Sequence, residues 1–388
     1  MLPGLSAAGV MMAGGKKDPA FKNLAALFAG GADGIMIDLT DKSTLFSDAN
    51  GTFPVVNNAD WVGLALDQHK WGGKTLAEYR ASQPELVANG SFDTDVSGWN
   101  LAGASGTITW QSGRMRVTAT TNSTPGASRA FTCVVGRWYE LSIDIPIAHS
   151  NYTGYNIGTG PASGNTYTSG NIGNAPGSYK RFFKATSTTQ YVIVYGPGVG
   201  GQYIEVDNIS IKEIDGNHAT QTSTARPTWA SATNDVLFDG SNDCLSLVGF
   251  DFPSGDCFLS SWAKPTTSNR HIVGADSQFR IGQDTANRVF AVAGSSVLYS
   301  TSTTLNVYKT ALLDKQTAKA ELAVDGVIEA TAASPPSTAT TNDPAIGAVG
   351  GATPSGFLPG NIKRIVAGKF RVQDTMTAAD FHANLIAA

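Results

Sequence analysis

The sequence predicts an all-β protein built from two β-sandwich domains, with a short helix near each end of the chain. Charged residues make up only 15% of the 388 residues, and 43 residues are glycine, a composition typical of turn-dense β proteins. From Pro84 onward, short segments alternate apolar and polar residues, as half-buried strands do. Runs rich in Gly, Ser, Thr and Asn separate these segments and indicate turns.

The predicted strands form two groups. The first group is RMRVTAT, YELSIDIPI, KRFFKAT, QYVIVYG and YIEVDNISI. The second group is DVLFDGSNDCLSL, CFLSSWAKP, FRIGQ, RVFAVAG, KAELAVDGVIEAT and IKRIVAGKFRV. Within the first group, the polar interval Ser163–Ser178 is predicted to be a loop.

The two predicted helices have recognisable ends. The first begins with Asp18 as N-cap and stops at Gly30 and Gly31. The second lies in TAADFHANLIA, where Thr377 and Asp380 have the spacing of a capping box. The residues before the first helix, Met1–Gly15, are small and apolar, so we expect them to be buried against another protein.

Charge and cysteine content exclude several classes of protein. A net charge of −4 provides no basic face for phosphates, so no nucleic-acid partner is expected. No apolar run approaches the roughly 20 residues that span a bilayer, so no membrane insertion is expected. The opening residues lack the order of a signal peptide. The three cysteines are interpreted as reduced core residues, with a Cys244–Cys257 disulfide as the alternative.

Catalytic motifs are absent or fail in context. The GPGVGG run matches GxGxxG, but a strand pattern follows it where a nucleotide site needs a helix. The five histidines are scattered, and no GxSxG elbow occurs. The chain contains carboxylates of the kind that glycoside hydrolysis uses, but their positions in turns and alternating strands favour a structural role over a catalytic one. The chain is therefore predicted not to be an enzyme. The carboxylates considered are Asp93, Asp95, Asp144, Glu205 and Asp207.

The most informative feature is a sequence pattern interrupted between Asp67 and Gly216. Its first part is Ala26–Asp67, and its second is GNHATQTSTARPTW followed by LFDGSNDCLSL. Joined, these parts resemble head- and tail-associated structural proteins of bacteriophages and gene transfer agents, in which a concanavalin A-like or laminin-G-like sandwich follows. The inserted segment opens with PELVANGSFDTDVSGW and closes with YIEVDNISIKEI. It resembles a carbohydrate-binding jelly roll.

This resemblance implies four regions. Residues 1–31 are expected to anchor the chain to a particle, and 32–83 lead into the lectin-like region. Residues 84–214 are expected to form the inserted jelly roll, and 215–388 the concanavalin A-like or laminin-G-like sandwich.

Loop aromatics of the inserted segment are the candidate glycan-binding residues, because sugars stack on aromatic rings while amides bind their hydroxyl groups. The candidates are Tyr152, Tyr155, Tyr167, Asn151, Asn156, Asn165 and Trp110. The jelly-roll resemblance also implies a structural calcium ion, since such domains commonly hold one between the opening and closing segments. The matching positions are Asn89, Ser91, Asp93 and Asp207, which offer oxygen ligands.

The sequence thus predicts a phage virion adhesin, a head or tail fibre or spike at the virion surface, assembled in the host cytoplasm. Its expected partners are other virion proteins, bound through the N-terminal segment, and host surface glycans. A homo-oligomer such as a trimer is expected, because repetition strengthens weak sugar binding. The alternatives are a structural decoration or fibre-base protein, and a capsule depolymerase.

Overall fold

The computed structural model describes residues 24–387 except 104, 149–153, 162–165, 172–175, 277, 304, 334–339, 341, 352 and 373–374, with only the backbone of 166–171. These residues cluster into two compact units. The first unit contains the described residues up to Ser47, Pro54–Glu78 and the described residues from Asn217 onward. The second unit contains Asp48–Phe53 and Tyr79–Gly216. The predicted insertion, Pro84–Ile214, falls within the second unit.

The first elements of the described chain are short. They are the 3-10 helices Ala25–Phe28, Lys42–Thr44 and His69–Trp71, strands β1 (Gly34–Asp38), β2 (Leu45–Phe46) and β3 (Leu64–Ala65), and helix α1 (Leu76–Ser82). The next strands are β4 (Asn100–Ala102), β5 (Gly106–Trp110), β6 (Met115–Ala119), β7 (Gly126–Thr132), β8 (Trp138–Ile147), β9 (Gly154–Gly158), β10 (Thr166–Asn171), β11 (Gly177–Lys184), β12 (Thr189–Tyr195) and β13 (Tyr203–Glu213).

The chain then returns to the first unit. Its strands there are β14 (Ala219–Thr220), β15 (Thr228–Ala230), β16 (Asp235–Asp239), β17 (Leu245–Ser246), β18 (Cys257–Pro265), β19 (Arg270–Gly274), β20 (Phe279–Gln283), β21 (Arg288–Ala293), β22 (Ser296–Thr303), β23 (Lys309–Lys315), β24 (Lys319–Val324), β25 (Val327–Ala333), β26 (Ala345–Ile346) and β27 (Pro359–Gly368), followed by helix α2 (Ala378–Ile386). The all-β prediction is confirmed.

The first unit is a sandwich of two antiparallel sheets. An eight-stranded sheet has the order β15-β16-β27-β18-β23-β24-β25, with β1 also paired to β27. A nine-stranded sheet has the order β2-β3-β14-β17-β26-β19-β20-β21-β22. Their facing side chains form one apolar core. The outer face of the eight-stranded sheet is covered in part by α2, where Phe381 meets Phe258 edge-on at 5.8 Å between ring centroids.

The two halves of the interrupted pattern meet inside the first unit. Strand β3 lies before the long segment Tyr79–Gly216 of the second unit and β14 after it, and they pair with Ala219 opposite Ala65. Next to this pair, the fully buried Asp67 carboxylate accepts a backbone hydrogen bond from Asn217 at 2.7 Å. It also accepts one from Met36 N at 2.8 Å. One side chain therefore ties the first half of the pattern to the second.

The second unit is also a two-sheet sandwich. One five-stranded sheet, called the tyrosine sheet below, has the order β10-β9-β12-β7-β4. The other, called the charged sheet, has the order β11-β8-β13-β6-β5. Apolar residues from both sheets form a single core, which includes Phe131, Tyr139, Leu141 and Val192.

Gly90, which follows Asn89 in the opening motif, allows the backbones of the opening and closing segments to approach each other closely. A Cβ on Gly90 would lie 1.9 Å from the carbonyl oxygen of Ile209, in the closing segment. The Gly90 carbonyl also accepts the Ile209 N–H at 2.9 Å. Asn89 and Asn208 precede these residues with left-handed φ of 52° and 49°, a conformation that asparagine tolerates better than most residues. The two motifs therefore form one packed junction.

The two predicted helices and the predicted loop have different outcomes. Thr377 caps α2 by accepting the Asp380 N–H at 3.1 Å, so the C-terminal helix is confirmed. Of the predicted N-terminal helix, the described end is the 3-10 helix Ala25–Phe28, and the remainder lies outside the described residues, as does Met1–Gly15. The prediction of a continuous loop over Ser163–Ser178 is wrong, because β10 and the start of β11 lie within it.

The three cysteines are all buried and unpaired, so the alternative of a Cys244–Cys257 disulfide is wrong. Burial raises the pKa of Cys257 to about 12, which leaves its thiol protonated at neutral pH. Among the described residues, no helix has the length and apolar content to cross a membrane.

A candidate glycan-binding face on the tyrosine sheet

Strand alternation divides β12 of the tyrosine sheet into a core side and an outer side. Val192 and Val194 point into the core, so Tyr191, Ile193 and Tyr195 lie on the opposite face. On that face Tyr191 and Tyr195 are half-buried, while Ile193 is fully buried between them. The outer side of the sheet therefore carries two partly exposed aromatic rings around an apolar floor.

The pairing register surrounds these rings with small and amide side chains. Ile193 lies opposite Ser128 on one side and Asn156 on the other, and Asn100 lies opposite Ser128. Asn100 is exposed and Asn156 half-buried. One row across four strands thus reads Asn, Ser, Ile, Asn. We call Asn100, Ser128, Asn156, Tyr191, Ile193 and Tyr195 the tyrosine face.

Each tyrosine has only small neighbours in register. Tyr191 lies between Ala130 and Gly158, and Tyr195 lies between Gly126 and Gly154. A Cβ on Gly126 would already lie 3.3 Å from the Tyr195 ring. Larger residues at these places would crowd the rings, whereas the small residues leave both tyrosines half-buried.

The outer face of the charged sheet has the opposite character. Glu205 is buried there and receives hydrogen bonds from Arg116 at 2.6 and 3.0 Å and from Arg114 at 3.2 Å. Glu140 is likewise paired with Arg80. On the tyrosine face, none of the six residues carries a charge. The tyrosine face therefore suits a neutral ligand rich in hydroxyl groups, because tyrosine rings stack on sugar rings and amides bind hydroxyls.

The predicted glycan-binding residues are only partly brought together. Asn156 lies on the tyrosine face, but the prediction that Tyr155 is an exposed loop residue is wrong. Tyr155 belongs to β9, where alternation points it into the core, and only 1% of the residue is exposed. Burial raises its pKa. Tyr167 lies in β10, described only by its backbone, and Asn151, Tyr152 and Asn165 lie outside the described residues.

Trp110 lies on the other sheet. It ends β5 of the charged sheet with 43% of its side chain exposed. Its indole N–H donates to the Phe92 carbonyl at 2.7 Å, so the side chain holds the opening loop of the unit. Trp110 is therefore not part of the tyrosine face.

The four predicted calcium ligands are not equally suited to that role. The side-chain amide nitrogen of Asn89 donates to Asp95 Oδ1 at 2.9 Å, and the Asn89 backbone carbonyl accepts the Trp99 indole N–H at 3.0 Å. Asn89 thus has a structural role in the loop. Burial raises the pKa of Asp207, and the negative charges of Asp144 and Asp93 add to this. A bound cation would relieve that repulsion, but no group of three or more His, Cys, Asp or Glu suited to a metal occurs among the described residues.

Calcium binding through Asn89, Ser91, Asp93 and Asp207 therefore stays a prediction. If it is right, excess chelator should lower the unfolding temperature of the full chain, because a ligand that binds only the folded state stabilises it. Differential scanning calorimetry with and without chelator measures this. An unchanged transition after exhaustive chelation would count against calcium, and Asp93→Asn serves as the matched site variant.

Comparisons with known proteins give weak similarities. No family model matches the chain, and no curated protein matches it. A solved structure described as "CBM4 structure and function" is 13% identical over 33% of this chain and 99% of that chain, with a TM-score of 0.27. The Ruminococcus gnavus IT-sialidase CBM40 bound to alpha2,3 sialyllactose is 15% identical over 32% and 82%, also at 0.27.

A third similarity is to the enzymatically active domain of Bacteriophage CBA120 tailspike protein 4. It is 17% identical over 35% of this chain and 22% of that chain, with a TM-score of 0.27. Similarities of this strength assign no function to the chain.

Sequence reasoning missed Tyr191 and Tyr195 as site residues. Both lie in QYVIVYG, which the alternation correctly identified as a strand. The available signal was the spacing of Tyr, Ile and Tyr at alternate positions, which places them on one face opposite the core valines.

Proposed function

We propose that the second unit is a non-catalytic carbohydrate-binding domain, and that the tyrosine face binds a neutral glycan. The observation that carries this proposal is the uncharged outer face of the tyrosine sheet, where two half-buried tyrosines lie on either side of a row that contains two asparagines. Ile193 and Ser128 provide a floor, while Asn156 lies one strand and Asn100 two strands away from Ile193.

The same face argues against hydrolysis at this position. Most glycosidases cleave the glycosidic bond with two carboxyl groups, one on either side of it. The six residues of the tyrosine face include no Asp or Glu. The buried carboxylates Glu205 and Glu140 belong to the charged sheet, where both are held in ion pairs. The proposal is therefore binding without turnover.

The sequence resemblance supplies the wider setting of the proposal. The chain would act as an adhesin at the surface of a phage virion, held to other virion proteins through residues 1–31 and presenting the tyrosine face to host polysaccharide. Repetition of the chain in a homo-oligomer or on a symmetric particle would raise the avidity of weak single sites.

The test is binding of the full chain to a glycan array and to purified bacterial polysaccharides. Tyr191→Ala and Tyr195→Ala should each weaken binding by about thirtyfold if both are anchors, because a hot-spot tyrosine contributes about 2 kcal/mol to an interface. Tyr203→Ala is the matched control. It removes the same side chain from the charged sheet, where Arg116 stacks on the ring at 4.0 Å, and it should leave glycan binding unchanged.

Three results would contradict the proposal. Equal glycan binding by wild type, Tyr191→Ala and Tyr195→Ala would exclude the tyrosine face. Failure of the wild type to bind any glycan would instead favour a structural decoration or fibre-base protein. Release of reducing ends from a bound polysaccharide would favour a depolymerase and contradict the non-catalytic role.

A further inference from the structure

The outer face of the nine-stranded sheet in the first unit contains an arginine and aromatic cluster. Across β19 to β22, one row reads His271, Gly282, Phe290 and Tyr299. A Cβ on Gly282 would lie 2.7 Å from the Phe290 ring, so the glycine makes room for that ring. His271 meets Phe290 edge-on, with 5.6 Å between centroids. This packing gives the face a fixed aromatic base.

Arg280 lies over that base without a charged partner. Its guanidinium carbon is 5.9 Å from the centre of the Phe290 ring. Within the described part of the chain Arg280 forms no ion pair, and its buried Nε has no hydrogen-bond partner. Burial lowers its pKa, and the nearby Asp276 opposes this only in part. Arg288, by contrast, is paired with Asp284 through two bonds of 2.6 and 2.9 Å.

Other groups around Arg280 leave its positive charge in place. Burial, together with the charges of Arg280 and Arg270, lowers the pKa of His271 to about 4, so the imidazole is neutral at neutral pH. Next to Phe290, Tyr299 is 43% exposed, and Val297 in the neighbouring row is 47% exposed. The Arg280 guanidinium thus lies over Phe290, in a chain whose net charge is −4. Tyr299 lies opposite Phe290 in register, and the Arg288 guanidinium stacks on the Tyr299 ring at 4.6 Å from its centroid.

We propose that this face binds a carboxylate-bearing polysaccharide, with the Arg280 guanidinium taking the carboxylate and the Tyr299 ring contacting the apolar face of a sugar ring. A planar guanidinium matches a carboxylate with two parallel hydrogen bonds. A uronic or sialic acid residue has both a carboxylate and a sugar ring with an apolar face, whereas a neutral glycan has only the ring. This site goes beyond the neutral-glycan function proposed for the second unit and lies on different residues.

The experiment measures binding of the full chain to polygalacturonate, to polysialic acid and to polygalacturonate methylated at its carboxyl groups, at one fixed ionic strength. The wild type should bind an acidic polymer and bind the methyl ester about tenfold less tightly, because charged hydrogen bonds of this kind are worth that much. Arg280→Gln should lose about the same factor. Arg280→Lys keeps the charge but not the paired donors. Its affinity for the acidic polymer should lie between the affinities of wild type and Arg280→Gln.

Two controls separate this site from general charge and from the tyrosine face. Lys184→Gln changes the net charge by the same amount at an exposed position of the charged sheet and should bind as wild type does. Tyr191→Ala should keep acidic-polymer binding even where neutral-glycan binding is lost. Unfolding temperatures of the Arg280 variants close to that of wild type establish that they are folded.

Several outcomes would overturn the inference. They are undiminished binding by Arg280→Gln, equal binding of the methyl ester, binding of dextran sulfate but of neither carboxylated polymer, and no binding of any of these polymers by the wild type.

Discussion

Replacing Asp67 by asparagine is expected to destabilise the first unit by about 3 to 5 kcal/mol, the cost typical of removing one partner from a buried, hydrogen-bonded charge cluster. The Asp67 carboxylate accepts bonds from Met36 N, His69 N and Asn217 N at 2.7 to 3.0 Å. It also contacts His69 Nδ1 at 2.6 Å. Asparagine has the same size but places an NH2 group against donors, so at least one donor would lose its acceptor.

The effect of this substitution should depend on pH. Burial alone raises the pKa of Asp67, but the interaction with His69 and the backbone N–H groups of Met36 and Asn217 outweigh it, so the pKa lies below its ordinary value of 3.8. A lowered folded-state pKa means that the contribution to stability is present above pH 3.8 and is lost as the pH falls further. The difference between wild type and Asp67→Asn should therefore shrink in that acidic range.

Denaturant unfolding combined with amide hydrogen exchange measures this prediction. Exchange should accelerate at β3 and β14 in the variant. Asp60→Asn is the control, since Asp60 also accepts two backbone N–H bonds, from Val56 and Asn57, but at an exposed position. It should have a small effect. Equal stability of Asp67→Asn and wild type would mean that the carboxylate does not hold the two halves together.

Gly90→Ala is expected to destabilise the second unit by about 3 kcal/mol, at the upper end of typical overpacking costs. The added Cβ would fall 1.9 Å from the Ile209 carbonyl oxygen, and a backbone atom cannot move aside as the end of a side chain can. Relief requires separating the opening and closing segments, which would break the bond from Ile209 N to the Gly90 carbonyl.

Gly200→Ala is the matched control in the same unit, because its added Cβ would meet backbone atoms at an ordinary 3.6 Å. Thermal unfolding of both variants, with hydrogen exchange to locate the change, tests the contrast. A Gly90→Ala protein as stable as Gly200→Ala would show that the junction between the two motifs yields easily.

The local pattern of apolar and polar residues was sufficient to predict the strands, because this alternation indicates which side of a strand is buried. YELSIDIPI and CFLSSWAKP correspond to β8 and β18 almost residue for residue. The same alternation is present in Tyr155 and Ile157, but turn-forming neighbours obscure it, so the sequence prediction places a core tyrosine in a loop. The rule of strand alternation holds for Tyr155, but the turn-forming residues around it led to the wrong assignment.

Beyond the alternate spacing of Tyr191 and Tyr195, the sites could not be predicted, because they depend on which strands become neighbours. The row Asn100, Ser128, Ile193 and Asn156 joins β4, β7, β12 and β9, an order unrelated to their order in the chain. Likewise, whether Arg280 finds a carboxylate depends on cross-strand register, whereas Arg288 meets Asp284 four residues away. The register between strands distant in sequence decides which polar groups find hydrogen-bond or ion-pair partners. This register cannot be read from the pattern of a single sequence.

The pairing of β3 with β14 fixes a sequence of events during synthesis. Asp67 and Asn217 are separated by 150 residues, which a ribosome adds in about 8 to 30 s at roughly 5–20 residues per second. Throughout that interval the amide and carbonyl groups of β3 have no β14 to pair with. The second unit, made almost entirely of the residues in between, has its whole chain available first. The first unit is thus begun early and completed late. The remaining strands of its nine-stranded sheet can pair only after the second unit has left the ribosome.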